Sequence, residues 1–207
     1  ITPALGQKAA ACTRESLEAA RAAGVRVSMD LNFRKKLWSE SQAQQTMRPM
    51  MQFVDVVIAN EEDIQSVLGL EVHGTDVTKG ALNLDGYRDV AERVVREFEV
   101  SKVAITLRES LSASRNGWSA CLLDAADGAF HHSQRYEIEV VDRIGGGDSF
   151  AGGLIYGLVT GRTAAASLRF AVAPGALKHS IPGDFNRVTV TEVDRLAGGD
   201  ASGRVQR

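Results

Sequence analysis

The sequence has few of the features that would place it in a special class of protein. It contains only two cysteines in 207 residues, Cys12 and Cys121. They lie in apolar surroundings without metal-ligand spacing, so we expect two buried free thiols and a reducing, cytoplasmic compartment. No apolar run approaches the roughly 20 residues of a membrane span, and no signal-peptide pattern opens the chain.

An excess of charge of either sign is also missing. The chain has 24 Lys and Arg against 26 Asp and Glu, a formal net charge of −2. This balance gives no electrostatic footprint for nucleic acid or a membrane surface, so we expect small-molecule ligands and leave a homo-oligomer open. His131 and His132 are adjacent on a predicted strand and would face opposite sides, while His73 lies in a polar loop. We therefore expect no zinc or other transition-metal site.

The pattern that is present alternates helices with strands. Apolar spacing and stop signals predict helices over residues 7–23, 42–52, 60–68, 87–98, 149–160, 163–178 and 190–197. Strands are predicted over residues 25–30, 54–59, 102–107, 118–123 and 129–140. This alternation indicates an α/β domain over residues 1–197, with three layers and a mainly parallel sheet that has helices on both faces. The polar stretch 71–86 is the longest expected irregular connection, and residues 198–207 are expected to be a flexible tail.

The most informative segment contains three successive glycines, Gly145–Gly147, followed by Asp148 and the start of a helix. Residues without a Cβ allow backbone N–H groups to converge on an anion, and the helix directs its positive dipole end to the same point. The alternative is an ordinary turn in which Asp148 or Ser149 caps the helix, and the segment alone favours neither. Spacing excludes the dinucleotide fingerprint, which needs glycine at Phe150, and the Walker motif, which needs Gly-Lys-Ser/Thr.

Two other segments carry polar groups at expected strand ends. Residues Asp30, Asn32 and Arg34 follow the first strand, and ligands of open α/β sheets bind at such ends. An arginine there can hold a carboxylate or phosphate through two hydrogen bonds, although the spacing alone favours an ordinary polar loop. Asn60 follows the second strand and is also suited to cap the next helix, with Asp63 as its capping-box partner.

Residues 142–148 resemble the hallmark Asp-Thr-x-Gly-Ala-Gly-Asp of the ribokinase-like, or PfkB, carbohydrate kinases, with Arg143 and Gly146 in place of the usual Thr and Ala. Residues 30–38, 106–114 and 177–186 are similar to segments of the 2-keto-3-deoxygluconate kinases within that family. Residues 60–63 resemble the family's Asn-x-x-Glu element, with Asp63 in place of Glu. Residues 108–111 stand where many relatives have a Gly-x-x-Gly turn.

This resemblance implies a ribokinase-like fold and ATP-dependent, Mg²⁺-dependent phosphorylation of 2-keto-3-deoxygluconate to its 6-phosphate. Asp148 would be the base, with the backbone of Gly145, Gly146 and Gly147 as the anion hole. The substrate would be bound by Asp30, Asn32, Arg34 and Asp148. Nucleotide contacts would come from Asn60, Thr106, Arg108, Gly145, Gly147 and His179. Water-mediated Mg²⁺ contacts would come from Asn60, Glu62 and Asp63. For His179, a surface or helix-terminal role is an alternative to the nucleotide pocket.

The resemblance covers roughly the C-terminal two-thirds of a family member. The N-terminal lid, the glycine-rich sugar-binding turn and the first strands of such a protein have no counterpart here. Two further hypotheses therefore stand beside the leading one. The chain could phosphorylate another sugar, such as ribose or fructose, or it could bind nucleotide without catalysis.

Overall fold

The computed structural model of the protein describes residues 1–71 and 83–199. These residues form two compact units. The first contains residues 1–71, 83–107 and 121–130, and the second contains residues 108–120 and 131–199. Most of the expected polar connection 71–86, with His73, and nearly all of the expected tail 198–207 lie outside the described residues.

The observed elements agree with the predicted alternation, and most of their ends lie within a few residues of the predicted ones. The strands are β1 Ser28–Asp30, β2 Val56–Ala59, β3 Lys102–Ser110, β4 Arg115–Asp124, β5 Ala129–His132 and β6 Tyr136–Glu139. The α-helices are α1 Gln7–Ala22, α2 Glu40–Met47, α3 Glu61–Asp63, α4 Leu84–Phe98, α5 Gly146–Val159, α6 Ala164–Lys178 and α7 Val190–Ala197. Short 3₁₀ segments cover Thr2–Leu5 and Arg48–Phe53, and a π-helical turn covers Ile64–Leu68. No helix in the described part of the chain is long and apolar enough to cross a membrane.

The sheet is mixed. Its strand order is β1-β2-β3-β4-β5, with β6 also paired to β4. The pairs β1–β2 and β2–β3 are parallel, with Asp30 opposite Ile58 and Ala59 opposite Ile105, whereas β4 and β6 are antiparallel. In the first unit, β1 and β2 therefore end side by side at one edge of the sheet, next to Thr106 of β3. The predicted α/β class with parallel pairing is confirmed for these three strands.

Local chemistry explains where several elements end. Gly24 adopts φ 68° after α1, and the N–H groups of Gly24 and Val25 donate to the carbonyls of Arg21 and Ala20. This is a Schellman motif, in which the left-handed glycine ends the helix. The predicted strand 129–140 is divided, because the Ser133 hydroxyl accepts from the Ala120 N–H at 3.0 Å and donates to the Gln134 carbonyl at 2.8 Å. These side-chain bonds interrupt the extended ladder between β5 and β6.

The two cysteines lie in different environments. Cys121 is fully buried on β4, and burial raises the pKa of its thiol to about 12. Cys12 is exposed, so the expectation that both thiols are buried was wrong for it. The reason is the amphipathic α1, which buries Leu17 against the core and presents Cys12 to solvent.

In the second unit, helices α5 and α6 pack against each other at glycine positions. A Cβ added at Gly153 would lie 3.0 Å from Ala171 Cα, and one at Gly157 would lie 2.8 Å from Ser167 Cα. These small residues allow the two helix backbones to approach each other closely.

Candidate active site

The ends of β1 and β2 bring two of the predicted polar segments together. The backbone N–H of Leu31 donates to Ile58 O at 3.0 Å, which continues the parallel pairing by one residue beyond β1. Two residues later, the N–H of Phe33 donates to the Asp63 carboxylate at 2.8 Å. The segment after β1 is therefore held directly on the segment after β2, as expected for adjacent parallel strands.

Asn60 caps the helix after β2. Its Oδ1 accepts from the Asp63 N–H at 2.8 Å, which confirms the capping alternative. The carboxylate of Asp63 is buried and accepts the Phe33 N–H, and the backbone of Asn60 also favours its charged form. Asp63 thus orders the neighbouring loop, while the side chain of Glu62 is exposed. Participation of Asn60, Glu62 or Asp63 in Mg²⁺ binding stays a prediction.

Burial raises the pKa of the Asp63 carboxyl above its ordinary 3.8. A carboxyl with a raised folded-state pKa stabilises the fold fully below its unfolded pKa and loses that contribution as the pH rises through its folded pKa. We therefore expect the free energy of unfolding of the wild type, minus that of Asp63→Asn, to increase as the pH falls from 7 towards 4. Urea unfolding of both proteins across this range measures the difference. A difference that stays constant or decreases would contradict the assignment.

The segment after β1 presents an unsatisfied acceptor and an exposed cation. Asn32 adopts φ 40°, an uncommon backbone conformation for a residue other than glycine, and its buried Oδ1 has no hydrogen-bond partner in the described structure. The exposed Arg34 side chain donates to the Phe33 carbonyl at 2.8 Å. Nearby on β3, the Thr106 hydroxyl lies 3.4 Å from the Ala59 carbonyl. The Asn32 amide oxygen can therefore accept a hydrogen bond from a polar ligand, and the Arg34 guanidinium can donate further ones.

In the second unit, the glycine segment opens α5 differently from the capping alternative. The N-cap is Gly145, with φ 79°, and α5 begins at Gly146. The predicted start at residue 149 was therefore three residues late, and neither Asp148 nor Ser149 is the N-cap. Among the described residues, the N–H groups of Gly147 and Asp148 have no backbone acceptor, and the exposed Asp148 carboxylate has no hydrogen bond or ion pair. Free donors and a free carboxylate thus share the first turn of one helix.

Contacts around the loop fix its shape. A Cβ at Gly145 would lie 2.3 Å from the Asp184 carbonyl oxygen, whereas a Cβ at Gly147 would meet nothing within 4 Å. The Asp142 carboxylate accepts the N–H of Ile144 at 3.0 Å and of Gly183 at 2.8 Å. These hydrogen bonds lower the pKa of Asp142. The segment after α6 therefore supports the glycine loop from beneath, while Gly147 is left open.

His179 is the C-cap residue of α6 and is buried against the glycine loop, so the helix-terminal alternative is confirmed, the surface one was wrong, and a contact with nucleotide stays a prediction. Its Nδ1 lies 2.7 Å from the Gly175 carbonyl and its ring centroid lies 5.1 Å from that of Trp118. Because a carbonyl only accepts, Nδ1 carries the hydrogen. Burial lowers the pKa of this imidazole, and the positive charges of Lys178, Arg143 and Arg108 lower it further. These three cations make the surroundings of the loop electropositive.

The ring of His179 occupies the space next to Gly146. A Cβ at Gly146 would lie 2.6 Å from His179 Cε1. We expect Gly146→Ala to destabilise the protein by roughly 1–3 kcal/mol, because the buried ring must move. In the His179→Ala background, the same substitution should be neutral or stabilising, since alanine favours helix. Urea unfolding of the four proteins gives the coupling energy.

Gly152→Ala is the matched control for this cycle. Gly152 is also in α5, but its Cβ would meet nothing within 4 Å. We expect this variant to be at least as stable as the wild type in both backgrounds. Equal effects of Gly146→Ala with and without the imidazole would contradict the proposed contact.

Arg108 lies within β3 and not in a turn. The segment 108–111 was compared with a Gly-x-x-Gly turn, but β3 continues to Ser110 and the turn begins at Leu111, whose N–H donates to the Arg115 carbonyl. The segment contains no glycine to form a tight turn, and the chain therefore continues as a strand to Ser110. Arg108 is exposed, and its contact with nucleotide stays a prediction.

Sequence reasoning missed two residues of this region. Asp142 and Lys178 lie in the segments 142–148 and 177–186 that resemble family motifs, but the sequence assigned neither of them a role. Asp142 organises two segments that lie 41 residues apart. Lys178 is fully buried next to Gly145. A lysine at the end of a helix normally indicates an exposed charge, so no pattern in the sequence distinguishes this one.

The residues present fit the phosphate groups of a nucleotide better than they fit a bare metal ion. Gly147 leaves open space above free N–H donors, as an anion requires. Within residues 1–71 and 83–199, no group of three or more His, Cys, Asp or Glu side chains could hold a metal ion. A Mg²⁺ ion here would therefore depend on ligand oxygens and water, as is common for this ion.

Comparison with known proteins agrees with this combination of an α/β sheet and a phosphate-type loop. Residues 7–186 match the pfkB family of carbohydrate kinases. The 2-dehydro-3-deoxygalactonokinase of Haloferax volcanii is 34% identical over 97% of this chain and 56% of its own length. The crystal structure of 2-dehydro-3-deoxygluconokinase from Thermotoga maritima superposes with a TM-score of 0.88 at 46% identity, over 95% of this chain and 57% of that one.

A more distant structure shares the fold. It is described as a ribokinase II of Escherichia coli in complex with ATP and Mg²⁺, with a TM-score of 0.65 and 16% identity. The fold and the loop thus define a ribokinase-like α/β protein. This chain belongs to the pfkB family of carbohydrate kinases. It spans little more than half the length of these relatives, somewhat less than the two-thirds expected from the sequence.

Proposed function

We propose that this chain carries the phosphoryl-transfer part of a sugar-acid kinase that acts on 2-keto-3-deoxygluconate, also named 2-dehydro-3-deoxygluconate. The reaction would transfer the γ-phosphate of ATP to the terminal hydroxyl of the sugar acid. The two relatives described above are named as kinases of 2-dehydro-3-deoxy sugar acids, which supports this substrate class.

One observation carries the proposal. Gly145 caps α5 through its backbone conformation, so the Asp148 carboxylate is not consumed as a helix cap. It remains exposed in the first turn, beside the N–H groups of Gly147 and Asp148. Phosphoryl transfer requires a group that takes the hydroxyl proton and donors that stabilise the phosphoryl oxygens, and this turn offers both.

In the proposed step, the Asp148 carboxylate accepts the proton of the substrate hydroxyl. The hydroxyl oxygen forms a bond to the γ-phosphorus, and the bond to the bridging oxygen of ADP breaks. Backbone N–H groups at the start of α5 hold the negative charge of the phosphate oxygens, helped by the helix dipole. When bound with ATP, Mg²⁺ would neutralise part of the phosphate charge.

The preference for a sugar acid is supported by the first unit. Arg34 is exposed and suited to pair with a carboxylate through two hydrogen bonds. Asn32 has a buried, unpartnered Oδ1 held in a strained backbone conformation, and a substrate hydroxyl could donate to it. Asp30 ends β1 at the same edge of the sheet.

A second candidate substrate is the galactonate epimer. Its support is the name of the Haloferax volcanii relative, which aligns over nearly the whole chain. A fructokinase of Escherichia coli is 26% identical over 69% of the chain, which keeps a neutral sugar among the substrates to be tested.

An assay of ADP release tests these alternatives. The 207-residue chain is incubated with Mg²⁺-ATP and, in parallel, with 2-keto-3-deoxygluconate, its galactonate epimer, ribose and fructose. ADP binding is measured by calorimetry on the same protein. We expect turnover with a keto-deoxy acid and none with the neutral sugars.

Each other outcome favours a different hypothesis. Turnover with ribose or fructose alone would replace the sugar-acid assignment with a neutral-sugar kinase. ADP binding without turnover on any sugar would favour a nucleotide-binding chain without catalysis. Absence of both would contradict the proposed phosphate site.

A further inference from the structure

Lys178 is a fully buried lysine that pairs directly with no carboxylate among the described residues. Its side chain has no exposed surface, and its ammonium donates to the Ile181 carbonyl at 2.9 Å. In the part of the chain that the structure describes, Lys178 forms no ion pair. Lysine is almost never fully buried unless it is paired, because removing an ammonium from water is costly. Asp142 is near enough for the charge of Lys178 to lower its pKa but forms no ion pair with it, so described residues compensate this charge only in part, which leaves room for a further negative charge from outside them.

The position of Lys178 indicates where that charge would lie. A Cβ at Gly145 would be 3.3 Å from Lys178 Cε, so the side chain passes directly behind the N-cap of α5. The positive charge of Lys178 helps to lower the pKa of both Asp142 and His179. Asp142 already accepts two backbone N–H groups, which partly satisfy its charge. The open side of the glycine loop is the place left for an anion.

We propose that Lys178 is a positioning residue whose charge, held behind Gly145, increases the affinity of the glycine loop for the phosphate groups of the nucleotide. This inference rests on the proposed phosphate site. Because the side chain is buried and its ammonium is bonded to the Ile181 carbonyl, it acts through space and not by direct contact. Unit charges a few ångströms apart in a partly screened interior still attract each other more strongly than they would in bulk water.

The test compares a polyanion with an uncharged ligand. Calorimetry measures binding of inorganic tripolyphosphate and of adenosine to the wild type, Lys178→Gln and Lys178→Arg. Glutamine keeps a donor for Ile181 but removes the charge, and arginine keeps the charge. Arg169→Gln is the matched control, because it removes one positive charge from an exposed position of the same helix.

We expect Lys178→Gln to weaken tripolyphosphate binding at least tenfold and to leave adenosine binding unchanged. Lys178→Arg should retain most of the tripolyphosphate affinity, and Arg169→Gln should change it little. Equal losses for both ligands, or equal losses in both Lys178 variants, would mean that Lys178 only supports packing and would overturn the inference. If the wild type binds no tripolyphosphate, the phosphate site itself is wrong and the inference falls with it.

A measurement on the wild type covers the case in which the variants do not fold. Lysine labelled with ¹³C at Cε gives signals from six lysines, and the buried Lys178 is identified by protection from a soluble paramagnetic agent. We expect this signal to shift with tripolyphosphate and not with adenosine. A Lys178 signal that is unchanged while tripolyphosphate binds would overturn the inference without affecting the phosphate site.

Discussion

Asp148→Asn should lower turnover by at least about a hundredfold, because it removes the carboxylate that accepts the substrate proton. The substitution keeps the shape of the side chain, and the Asp148 carboxylate has no hydrogen bond or ion pair with a described residue that the amide would lose. Gly145 still caps α5, so the first turn and its free N–H groups should persist. ADP release with Mg²⁺-ATP and 2-keto-3-deoxygluconate measures the rate, and calorimetry with ADP measures nucleotide binding, which we expect to remain close to wild type.

Asp194→Asn is the charge-matched control. Asp194 pairs with Arg162 at 2.7 Å on the surface of α7 and has no role in the proposed phosphoryl transfer. It should retain turnover, although it loses one negative charge as Asp148→Asn does. Full activity in Asp148→Asn would exclude the carboxylate as base, and a parallel loss of ADP binding would show that the amide disturbs the loop.

The sequence was sufficient to predict the α/β class and most element positions, because those depend on local spacing. Apolar periodicity located β2 and α7, and Gly24 ended α1 through a backbone conformation that glycine favours. The start of α5 was misjudged by three residues. A serine or aspartate is the usual cap, and the sequence does not show that Gly145 takes that role with φ 79°.

The contacts that shape the candidate site could not be predicted, because they join residues distant in the chain. The bond from Phe33 to Asp63 spans 30 residues and that from Gly183 to Asp142 spans 41. The motif suggested that Asp63 contacts Mg²⁺ through water, yet its carboxylate accepts a hydrogen bond from the backbone N–H of Phe33. His179 and Lys178 resembled the exposed end of a helix and are both buried. Motif spacing identifies the polar groups, but only tertiary packing decides which of them are free.

Gly145→Ala should remove both the shape of the loop and its affinity for phosphate. Alanine at φ 79° is strained by about 1–2 kcal/mol, and the added Cβ would lie 2.3 Å from the Asp184 carbonyl oxygen. Because that oxygen belongs to the backbone, no side-chain rotation can relieve the contact, and the loop or the segment after α6 must move. We expect a loss of roughly 2–4 kcal/mol in the free energy of unfolding and at least tenfold weaker tripolyphosphate binding.

Two other glycines separate the causes of this effect. Gly161 has a similar φ of 78° but open space at its Cβ, so Gly161→Ala should show the backbone strain alone. Gly147 has open space without a left-handed backbone, so Gly147→Ala should be at least as stable as the wild type, since alanine favours helix. If Gly145→Ala cost no more than Gly161→Ala, the Asp184 contact would not constrain the loop. If Gly145→Ala destabilises the protein more than Gly161→Ala and also loses tripolyphosphate binding, the anion site depends on the contact between Gly145 and the segment after α6.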